Sequence, residues 1–385
     1  MKNILKKCFQ LPWQEGDNPN GWIEPTTFCQ LKCPGCYRGA DKPDHKPEHL
    51  DFDVVKNQID WFIEHRNVHT ISIAGGEPLL YPKIIEIVDY CSSKKLRTML
   101  YTNGVALKIE MLHNLKKVGL TQALVHVDRF QIRPDFNKNA TVDSMREHFS
   151  DLFREVGGVQ LGYIQPLSSD CFTELEDIVK FAQKNIDIVS LLVFTMYREV
   201  CWTNETRKNI NTNITVEQTV EFLQKIDNYI PSAYLSSEKN DDDPTWLFAT
   251  KTGLPGINTG YFSPKFYKIA HERYRKLKGK YLFISRHSNL KISSLLRYFW
   301  IENNIKIISN FLKSRNKNTE KYKELYFQTF LILRGPLQIE NKKWDLCENC
   351  PDRIIYNGKL VPSCILEDLK NNSNTEFKTV NFDKN

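Results

Sequence analysis

The chain has 385 residues, of which 41% are hydrophobic and 26% charged, so it is long enough for two domains and apolar enough for a large core. Its formal net charge of +7 is modest for this length, and we find neither a secretory leader nor an apolar run long enough to span a membrane. Ten cysteines in such a chain favour metal binding in a reducing cytosol over a disulfide framework, so we expect a cytoplasmic protein.

From about residue 20 to 230, short apolar runs alternate with amphipathic stretches. The apolar runs predict strands over residues 21–27, 69–74, 97–102, 122–127, 159–165 and 186–194. The amphipathic stretches predict helices over residues 52–65, 83–94, 108–118, 142–156, 174–184 and 215–229. Six strand–helix repeats predict an α/β fold with parallel strands and crossover helices. An open or closed barrel fits this alternation best, although a doubly wound open sheet would produce it as well.

The pattern changes after about residue 231, close to the polar segment Asp-Asp-Asp-Pro at 241–244. Residues 265–323 hold sixteen Lys or Arg against three Glu, and residues 290–312 carry large apolar side chains at helical spacing. This basic segment is typical of a solvated or core helix, of a helix lining an apolar tunnel, or of an interfacial helix on a membrane. No nucleic-acid motif accompanies it, so we expect no nucleic-acid partner. We expect a core over 20–230, a mostly helical basic extension over 231–344 and a cysteine-bearing module over 345–370.

Three cysteines follow the first predicted strand directly. Cys29, Cys33 and Cys36 have the spacing C-x3-C-x2-C, and they stand where a parallel barrel builds its site. Three thiolates on a compact loop can bind three irons of a four-iron cluster and leave the fourth iron open for a small molecule. A zinc site is the alternative, and it would need a further ligand such as His45 or His49. The spacing therefore predicts a metal site and favours an iron–sulfur cluster.

Two further motifs follow the next two predicted strands: Gly-Gly-Glu-Pro at 75–78 and Thr-Asn-Gly at 102–104. Together with the cysteine triad, they resemble the signature of the radical S-adenosylmethionine (SAM) superfamily across about residues 20–195. The resemblance implies a partial parallel (β/α)6 barrel of that type, with a 4Fe–4S cluster on Cys29, Cys33 and Cys36. It also implies that SAM binds the open iron and is cleaved reductively to a 5′-deoxyadenosyl radical. A reductant such as flavodoxin or ferredoxin would supply the electron.

The resemblance assigns cofactor-binding roles to residues near strand ends. Gly75 and Gly76 lack a Cβ and let the backbone approach a ligand closely, and Glu77 is a candidate acceptor for the SAM ammonium group. An ordinary strand-to-helix turn is the alternative interpretation of this motif. Other polar side chains at or just beyond predicted strand ends are candidates for contacts to SAM or substrate, or are satisfied structural groups: Asn103, His126, Asp128 and Gln165, with Gln131 and Arg133 in the loop after Asp128.

One position departs from the family pattern. Many members carry an aromatic residue directly before the third cysteine, whereas this chain has Gly35 there and Tyr37 directly after the triad. We therefore expect backbone contacts or Tyr37 to replace the missing aromatic packing against adenine.

A second group of cysteines lies near the end of the chain. Cys347 and Cys350 form a C-x2-C pair, and Cys364 follows after an Asn-Gly hairpin signal at 357–358 that separates predicted strands 354–356 and 359–361. The hairpin would return Cys364 toward the pair. The module resembles those that hold auxiliary clusters in many radical SAM enzymes, and a zinc knuckle or a metal-free hairpin is the alternative. Candidates for a fourth ligand are Cys8, Cys91, Cys171 and Cys201.

These observations leave three hypotheses for function. The first is a radical SAM enzyme in which the radical abstracts hydrogen from an unidentified organic substrate. The second is a radical SAM methyltransferase or a carbon–carbon bond-forming enzyme that acts on a lipid-like molecule, with peripheral membrane contact through the basic segment. The third is a non-catalytic interaction protein that binds zinc at both groups of cysteines.

Overall fold

The computed structural model describes residues 1–42, 44–137, 139–197, 214–283, 289–290, 295–315, 324–339, 343–371 and 380–381. The helices are α1 (Lys2–Leu5), α2 (Phe52–Arg66), α3 (Ile84–Ser93), α4 (Ile109–Lys117), α5 (Val142–Val156), α6 (Glu174–Lys184), α7 (Val216–Asp227), α8 (Pro264–Lys278), α9 (Glu302–Arg315) and α10 (Leu366–Asn371). The strands are β1 (Phe9–Gln10), β2 (Asn20–Thr26), β3 (Thr70–Gly75), β4 (Arg97–Thr102), β5 (Gln122–His126), β6 (Gln160–Leu167), β7 (Val189–Met196), β8 (Ala233–Ser236), β9 (Pro244–Leu254), β10 (Ile257–Tyr261), β11 (Asn289–Leu290), β12 (Leu325–Leu333), β13 (Leu337–Gln338), β14 (Trp344–Asp345), β15 (Arg353–Tyr356), β16 (Lys359–Pro362) and β17 (Val380–Asn381). Among the helices of these described ranges, none is both long and apolar enough to cross a bilayer.

The chain divides into two compact units. The triad unit comprises the described parts of Pro12–Val159, Tyr197–Ile210 and Gly335–Asn385. The basic unit comprises the described parts of Met1–Leu11, Gln160–Met196 and Asn211–Arg334. All six cysteines of the two predicted metal sites belong to the triad unit, whereas the basic segment belongs to the basic unit.

Four parallel strands pair in chain order in the triad unit. β2 pairs with β3, β3 with β4 and β4 with β5, and the helices α2 to α5 follow these strands in turn. Every residue of β2 and β3 is buried, which is typical of a parallel sheet whose two faces are both covered. The predicted strand 97–102 and helix 142–156 have the observed bounds. Each other predicted element of this region begins and ends within one residue of the observed element.

The basic unit adds parallel and antiparallel strands. β6 pairs with β7, β7 with β12, and β1 with β8 in parallel, whereas β9 pairs antiparallel with both β12 and β8. The helices α6 and α7 follow β6 and β7, as the alternation predicts, and helix 174–184 has its predicted bounds. The predicted α/β fold with mainly parallel strands is therefore confirmed.

The expectation that residues 231–344 are mostly helical needs correction, because this segment supplies β8, β9, β10 and β12 as well as α8 and α9. In β9, Lys251 interrupts an otherwise uncharged run and hides the strand signal. The structure buries this lysine completely and places its Nζ 2.7 Å from Asp227 Oδ2. In β12, nine residues are largely apolar, and periodicity alone does not separate a buried strand from a helix over so short a run.

The C-terminal hairpin is formed as predicted. β15 and β16 pair antiparallel, with Tyr356 opposite Lys359, and β17 pairs with β16. Asn357 and Gly358 join them with φ of 48° and 68°, the conformation that a two-residue type I′ turn requires. Apolar side chains of the hairpin and of α10 pack against β2 and β3 in one cluster, which contains Trp22, Ala74, Ile354, Val361 and Leu366.

Candidate active site

The carboxyl ends of β2, β3, β4 and β5 each carry one of the sequence motifs. The triad loop (residues 27–42) follows β2, residues 75–78 end β3 and begin the next turn, Asn103 follows β4, and Asp128 lies two residues beyond β5. Because neighbouring parallel strands end at the same edge of a sheet, these four loops adjoin one another. The candidate site is therefore built by four consecutive strand–helix repeats of the triad unit.

The three triad cysteines are half-buried in this loop. Burial raises the pKa of the Cys29 thiol to about 11 and also raises that of Cys33, and the charge of Cys36 adds to both shifts. The three sulfur atoms therefore interact electrostatically. Within the described ranges, no three His, Cys, Asp or Glu side chains are arranged around a single point where a metal ion would sit.

The chemistry of the donor set fits an iron–sulfur cluster. The loop offers three sulfur ligands, and a neighbouring amide side chain offers an N–H group to one of them. Asn103 Nδ2 donates to Cys29 Sγ over 3.6 Å, and the Gln131 side chain lowers the pKa of Cys33 against the larger effect of burial. Such donors stabilise the thiolate form that iron binds, and they influence the potential of a bound cluster.

Close packing against neighbouring backbone atoms requires glycine at positions 75 and 76, at the end of β3. A Cβ on Gly75, whose φ is +117°, would stand 2.4 Å from the carbonyl oxygen of Thr26, and one on Gly76 would stand 2.2 Å from that of Phe28. Gly76 N donates to Thr26 O at 2.9 Å, and Glu77 N donates to Phe28 O at 2.6 Å. The missing side chains therefore let this motif pack directly against the start of the triad loop.

Glu77 is fully buried, and both oxygens of its carboxylate accept hydrogen bonds from other groups of the protein. Oε1 accepts from Leu79 N at 3.0 Å and from the Thr102 hydroxyl at 2.7 Å, and Oε2 accepts from Asn103 N at 2.7 Å. Burial raises the pKa of Glu77, although these hydrogen bonds oppose the shift. Glu77 therefore joins the loop after β3 to the loop after β4, whereas the sequence-based role as acceptor for a SAM ammonium group stays a prediction.

Asn103 lies at the centre of this arrangement. Its side chain contacts both Cys29 and Gln30, with Gln30 Nε2 donating to Asn103 Oδ1 at 3.2 Å. Its carbonyl accepts from Arg133 Nη1 at 2.7 Å. Arg133 also forms a bidentate ion pair with Asp135, in which Nε donates to Oδ1 at 3.1 Å and Nη2 donates to Oδ2 at 2.7 Å. Arg133 thus acts as a structural brace for Asn103.

His126 and Asp128, predicted to share one face, form a pair. His126 Nε2 lies 2.5 Å from Asp128 Oδ2, and Phe130 N donates to Asp128 Oδ1 at 2.7 Å. Asp128 is almost fully buried, and burial raises its pKa, but His126 and backbone N–H donors outweigh that effect and bring the pKa below its usual value. The charge of Asp128 in turn raises the pKa of Cys33. An anionic carboxylate therefore stands within electrostatic reach of the triad.

An aromatic residue that the sequence did not single out lies against Gly35. Gly35 has φ of +68°, and a Cβ there would stand 2.7 Å from the Tyr197 hydroxyl oxygen, so the Tyr197 ring edge lies against this glycine. Tyr37 instead points into the protein, where its hydroxyl donates to Glu24 Oε1 at 3.1 Å. Tyr37 therefore packs beneath the loop. Tyr197 is 161 positions beyond Cys36 in the sequence, and no local pattern links the two.

Three other predicted site residues have defined places. Gln165 belongs to the basic unit, is buried, and its Nε2 donates to Pro166 O at 3.0 Å. His45 Nε2 lies 3.1 Å from Thr27 O, and the His49 ring stacks on Phe28 at 4.4 Å between ring centres. Their roles as ligands of SAM or zinc stay predictions.

The C-terminal cysteines approach one another at the open end of the hairpin. Interaction with the Cys347 thiol and burial raise the pKa of Cys350 well above its usual value, with a smaller effect of Cys364. Asn18 Nδ2 donates to Asn349 O at 2.9 Å, and Arg66 Nη2 donates to Cys350 O at 3.0 Å. The turn between Cys347 and Cys350 is therefore held by side chains from outside the module.

Sequence reasoning missed two charged groups beside these cysteines. Arg66 is completely buried, which lowers its pKa to about 10 against the opposing effects of Glu15 and Cys350. Burial and then the charge of Cys347 raise the pKa of Asp352 to about 8, although Asn20 donates to its Oδ1 at 3.0 Å. Both residues come from segments that sequence patterns mark only as a helix end and a turn.

The candidate fourth ligands lie in different places. Cys91 is buried in α3, where burial raises its pKa to about 12. Cys8 and Cys171 belong to the basic unit, where their thiols contact backbone carbonyls of Pro231 and Pro166 at 3.5 and 3.4 Å. Cys201 lies outside the described residues.

Comparison with known proteins gives one family match. Residues 23–157 match the radical SAM superfamily. An uncharacterised protein of Methanocaldococcus jannaschii is 27% identical over 41% of this chain and 56% of its own length. An AdoMet-dependent heme synthase of Methanosarcina barkeri is 33% identical over 27% of this chain and 30% of its own length. A probable GTP 3',8-cyclase of Methanocaldococcus jannaschii is 26% identical over 46% of this chain and 59% of its own length.

The chain thus spans between 30% and 59% of the length of these curated relatives. Among solved structures, SuiB of Streptococcus suis bound to S-adenosylmethionine is similar at a TM-score of 0.44 and 18% identity, over 55% of this chain and 48% of that one. The matched residues 23–157 include the triad, the glycine motif, Asn103 and Asp128. Residues 23–157 therefore form a domain of the radical SAM superfamily.

Proposed function

We propose that the chain is an enzyme that cleaves SAM reductively at a 4Fe–4S cluster bound by Cys29, Cys33 and Cys36. One observation carries the proposal: Glu77 accepts the backbone N–H of Asn103 at 2.7 Å, and the Asn103 side chain donates to Cys29 Sγ at 3.6 Å, so three motif loops form one hydrogen-bonded unit. When bound, the cluster and SAM would supply a 5′-deoxyadenosyl radical that takes a hydrogen atom from an organic substrate.

The chain's own residues hold and orient the reactants in this proposal. Asn103 donates to the sulfur atom of Cys29 and keeps this ligand in place, and the Gln131 side chain favours the thiolate form of Cys33. Asp128, held by His126, and Glu77 are the anionic acceptors proposed for the ammonium group of SAM. We keep Gln165 and the backbone of residues 75–77 as further cofactor contacts.

The substrate is proposed only as a class. The relatives have names that refer to different reactions, a heme synthase and a GTP cyclase. We therefore propose a small organic or lipid-like substrate, and a reductant of the flavodoxin or ferredoxin type.

The test uses anaerobically purified protein with dithionite and SAM. We expect 5′-deoxyadenosine, detected by mass spectrometry, and we expect none from a C29A/C33A/C36A variant that has also lost the iron of the triad cluster. The control is C8A, because the Cys8 thiol contacts only backbone carbonyls of Ile4 and Pro231 among its described hydrogen bonds, and this variant should keep both iron and product. A SAM-derived methyl product would favour the methyltransferase alternative.

Two outcomes would refute the proposal. One is a protein with its full iron content that forms neither product. The other is a colourless protein with stoichiometric zinc and no absorbance at ~400 nm. This result is expected of a zinc-binding interaction protein, because the d¹⁰ ion Zn²⁺ does not absorb visible light.

We further propose a second iron–sulfur cluster on Cys347, Cys350 and Cys364. The electrostatic interaction of these three thiols and the buried Arg66 beside Cys350 support it, since a cation offsets the charge of clustered thiolates. Protein with two clusters should contain about eight irons, and a C347A/C350A/C364A variant about four. An unchanged iron content in this variant would exclude the second cluster and leave the first untouched.

A further inference from the structure

Five large apolar side chains are exposed on one stretch of the basic unit. The exposed fraction is 52% for Leu296, 60% for Phe299, 53% for Trp300, and 50% for both Ile305 and Leu312. We call these five residues the apolar patch. The first three lie in the turn before α9, and the other two are seven residues apart on α9 and so share one face of that helix. Exposed apolar residues gathered in this way mark an interaction surface.

The core uses other side chains of the same stretch. Leu295, Ile307 and Phe311 are at most 2% exposed, and they pack in one cluster with Leu254 of β9 and Leu325 of β12. In a helix, the mean direction of positions 307 and 311 is about 130° away from that of positions 305 and 312. The inner face of α9 therefore anchors it in the fold, whereas the side chains of the apolar patch remain at least half exposed.

Basic side chains surround the apolar patch. Lys265 Nζ lies 4.7 Å from the centre of the Trp300 ring, and Arg297, Lys306 and Lys313 are exposed between the apolar residues. Over residues 264–283 and 295–315 there are eleven Lys or Arg and two Glu. Both glutamates already face lysines, at 3.8 Å for Glu272 and 2.9 Å for Glu302. The surface therefore combines apolar anchors with a large surplus of positive charge.

This combination selects among possible partners. The buried core of a protein interface is depleted in lysine, whereas an anionic bilayer accepts apolar side chains below its headgroups and lysines at their level. Nucleic acid would satisfy the charge but would leave the aliphatic side chains of Leu296, Ile305 and Leu312 exposed to water. We infer that the apolar patch and its basic surround dock on an anionic phospholipid surface, with Phe299 and Trp300 inserted and α9 lying in the plane of the interface.

Vesicle co-sedimentation of the full-length protein tests this inference. The probes are vesicles of phosphatidylcholine alone and vesicles in which about a third of the lipid is phosphatidylglycerol. We expect binding to the anionic vesicles that weakens with salt. The variant F299S/W300S should bind at least about tenfold more weakly, because both inserted rings are lost. The variant K306Q/K313Q should lose about fivefold for each charge.

The matched control is V54S, because Val54 is also an exposed apolar helix residue, at 44%, and lies in the triad unit. It should bind as the native chain does, and circular dichroism should show all variants folded. The inference is overturned if the native chain does not sediment with anionic vesicles, or if F299S/W300S binds undiminished. It is also overturned if the native chain does not bind vesicles but forms a concentration-dependent dimer that F299S/W300S abolishes. None of these outcomes depends on the proposed chemistry at the triad.

Discussion

Arg38 and Glu367 face each other over 3.1 Å, and this contact connects the triad loop to the C-terminal cysteine module. The Arg38 guanidinium also contacts Glu24 of β2 at 2.8 Å, and its side chain is only 3% exposed. One buried cation thus neutralises two carboxylates, one from the sheet and one from α10. The two groups of cysteines are therefore parts of one electrostatically connected structure.

We predict that R38M destabilises the triad unit by about 3–5 kcal/mol, because it leaves Glu24 buried without its cation, whereas Glu367 keeps its contacts with Lys42 and Lys370. Urea denaturation of the anaerobic protein measures the loss, and iron content should fall at the same time. K180M is the control, because its partner Glu176 and Lys180 itself are both well exposed, at 43% and 70%, and it should cost at most about 0.5 kcal/mol. Equal effects of the two variants would contradict the assigned role of Arg38.

A second prediction concerns the close packing of Gly76 against the triad loop. G76A places a methyl group where Phe28 O already lies, and both partners are backbone, so neither side can move aside cheaply. We expect a loss of about 3 kcal/mol and a reduced iron content. G16A is the control, because a Cβ there would stand 3.7 Å from the His65 carbonyl oxygen, which is an ordinary contact. A stable G76A protein with full iron would show that the motif does not need this contact.

A third prediction concerns the buried pair of Lys251 and Asp227 in the basic unit. K251M should cost about 3–5 kcal/mol, because it leaves the buried Asp227 without its ion-pair partner. D227N should also destabilise, since Asp227 accepts from Lys251 at 2.7 Å and from the Tyr261 hydroxyl at 2.5 Å. The double variant K251M/D227N should lose clearly less than the sum of the two, and urea denaturation gives the coupling free energy. Strict additivity would mean that the two charges do not stabilise each other.

A fourth prediction concerns pH and His271 of α8. The side chain is 2% exposed, packs against Phe9 and Tyr267, and burial lowers its pKa to about 3. In the unfolded chain His271 has its ordinary pKa near 6.5 and binds a proton that the folded chain excludes. Stability is therefore fully present above about pH 6.5 and is lost as the pH falls toward 3.

Between pH 7 and pH 5, His271 should lower the free energy of unfolding by about 2 kcal/mol. The variant H271F should lack this part of the pH dependence, and urea denaturation of both proteins at both pH values measures the difference. An identical pH dependence in the two proteins would show that His271 is accessible to protons in the folded state.

The sequence predicted the parallel strand–helix repeats closely because each buried strand and each amphipathic helix has its own period, as in residues 97–102 and 142–156. The Asn-Gly turn was predictable for the same local reason, since few residues other than Asn and Gly accept positive φ at both turn positions. It also predicted which loops would meet, because the carboxyl ends of neighbouring parallel strands adjoin.

Other features depend on contacts between distant residues. The strand β9 was missed because the charge of Lys251 is neutralised by Asp227, 24 positions earlier. The contact of Tyr197 with Gly35 and the burial of Arg66 beside Cys350 have no local signal either. Glu77 lies where the motif predicts, but its hydrogen bonds to Thr102 and Asn103 of the next strand–helix repeat have no local signal.

The contact from Glu77 through Asn103 to Cys29 has a consequence for how the triad could vary. Because the same asparagine is held by its backbone and donates with its side chain, the length of the N–H···S contact depends on a carboxylate that itself need not touch any ligand. A change as small as Glu77→Gln would alter the hydrogen bonding of a sulfur atom one strand–helix repeat away. For the cluster proposed at the triad, the Glu77 carboxylate would thus influence the reduction potential through the hydrogen bond that a ligand sulfur accepts.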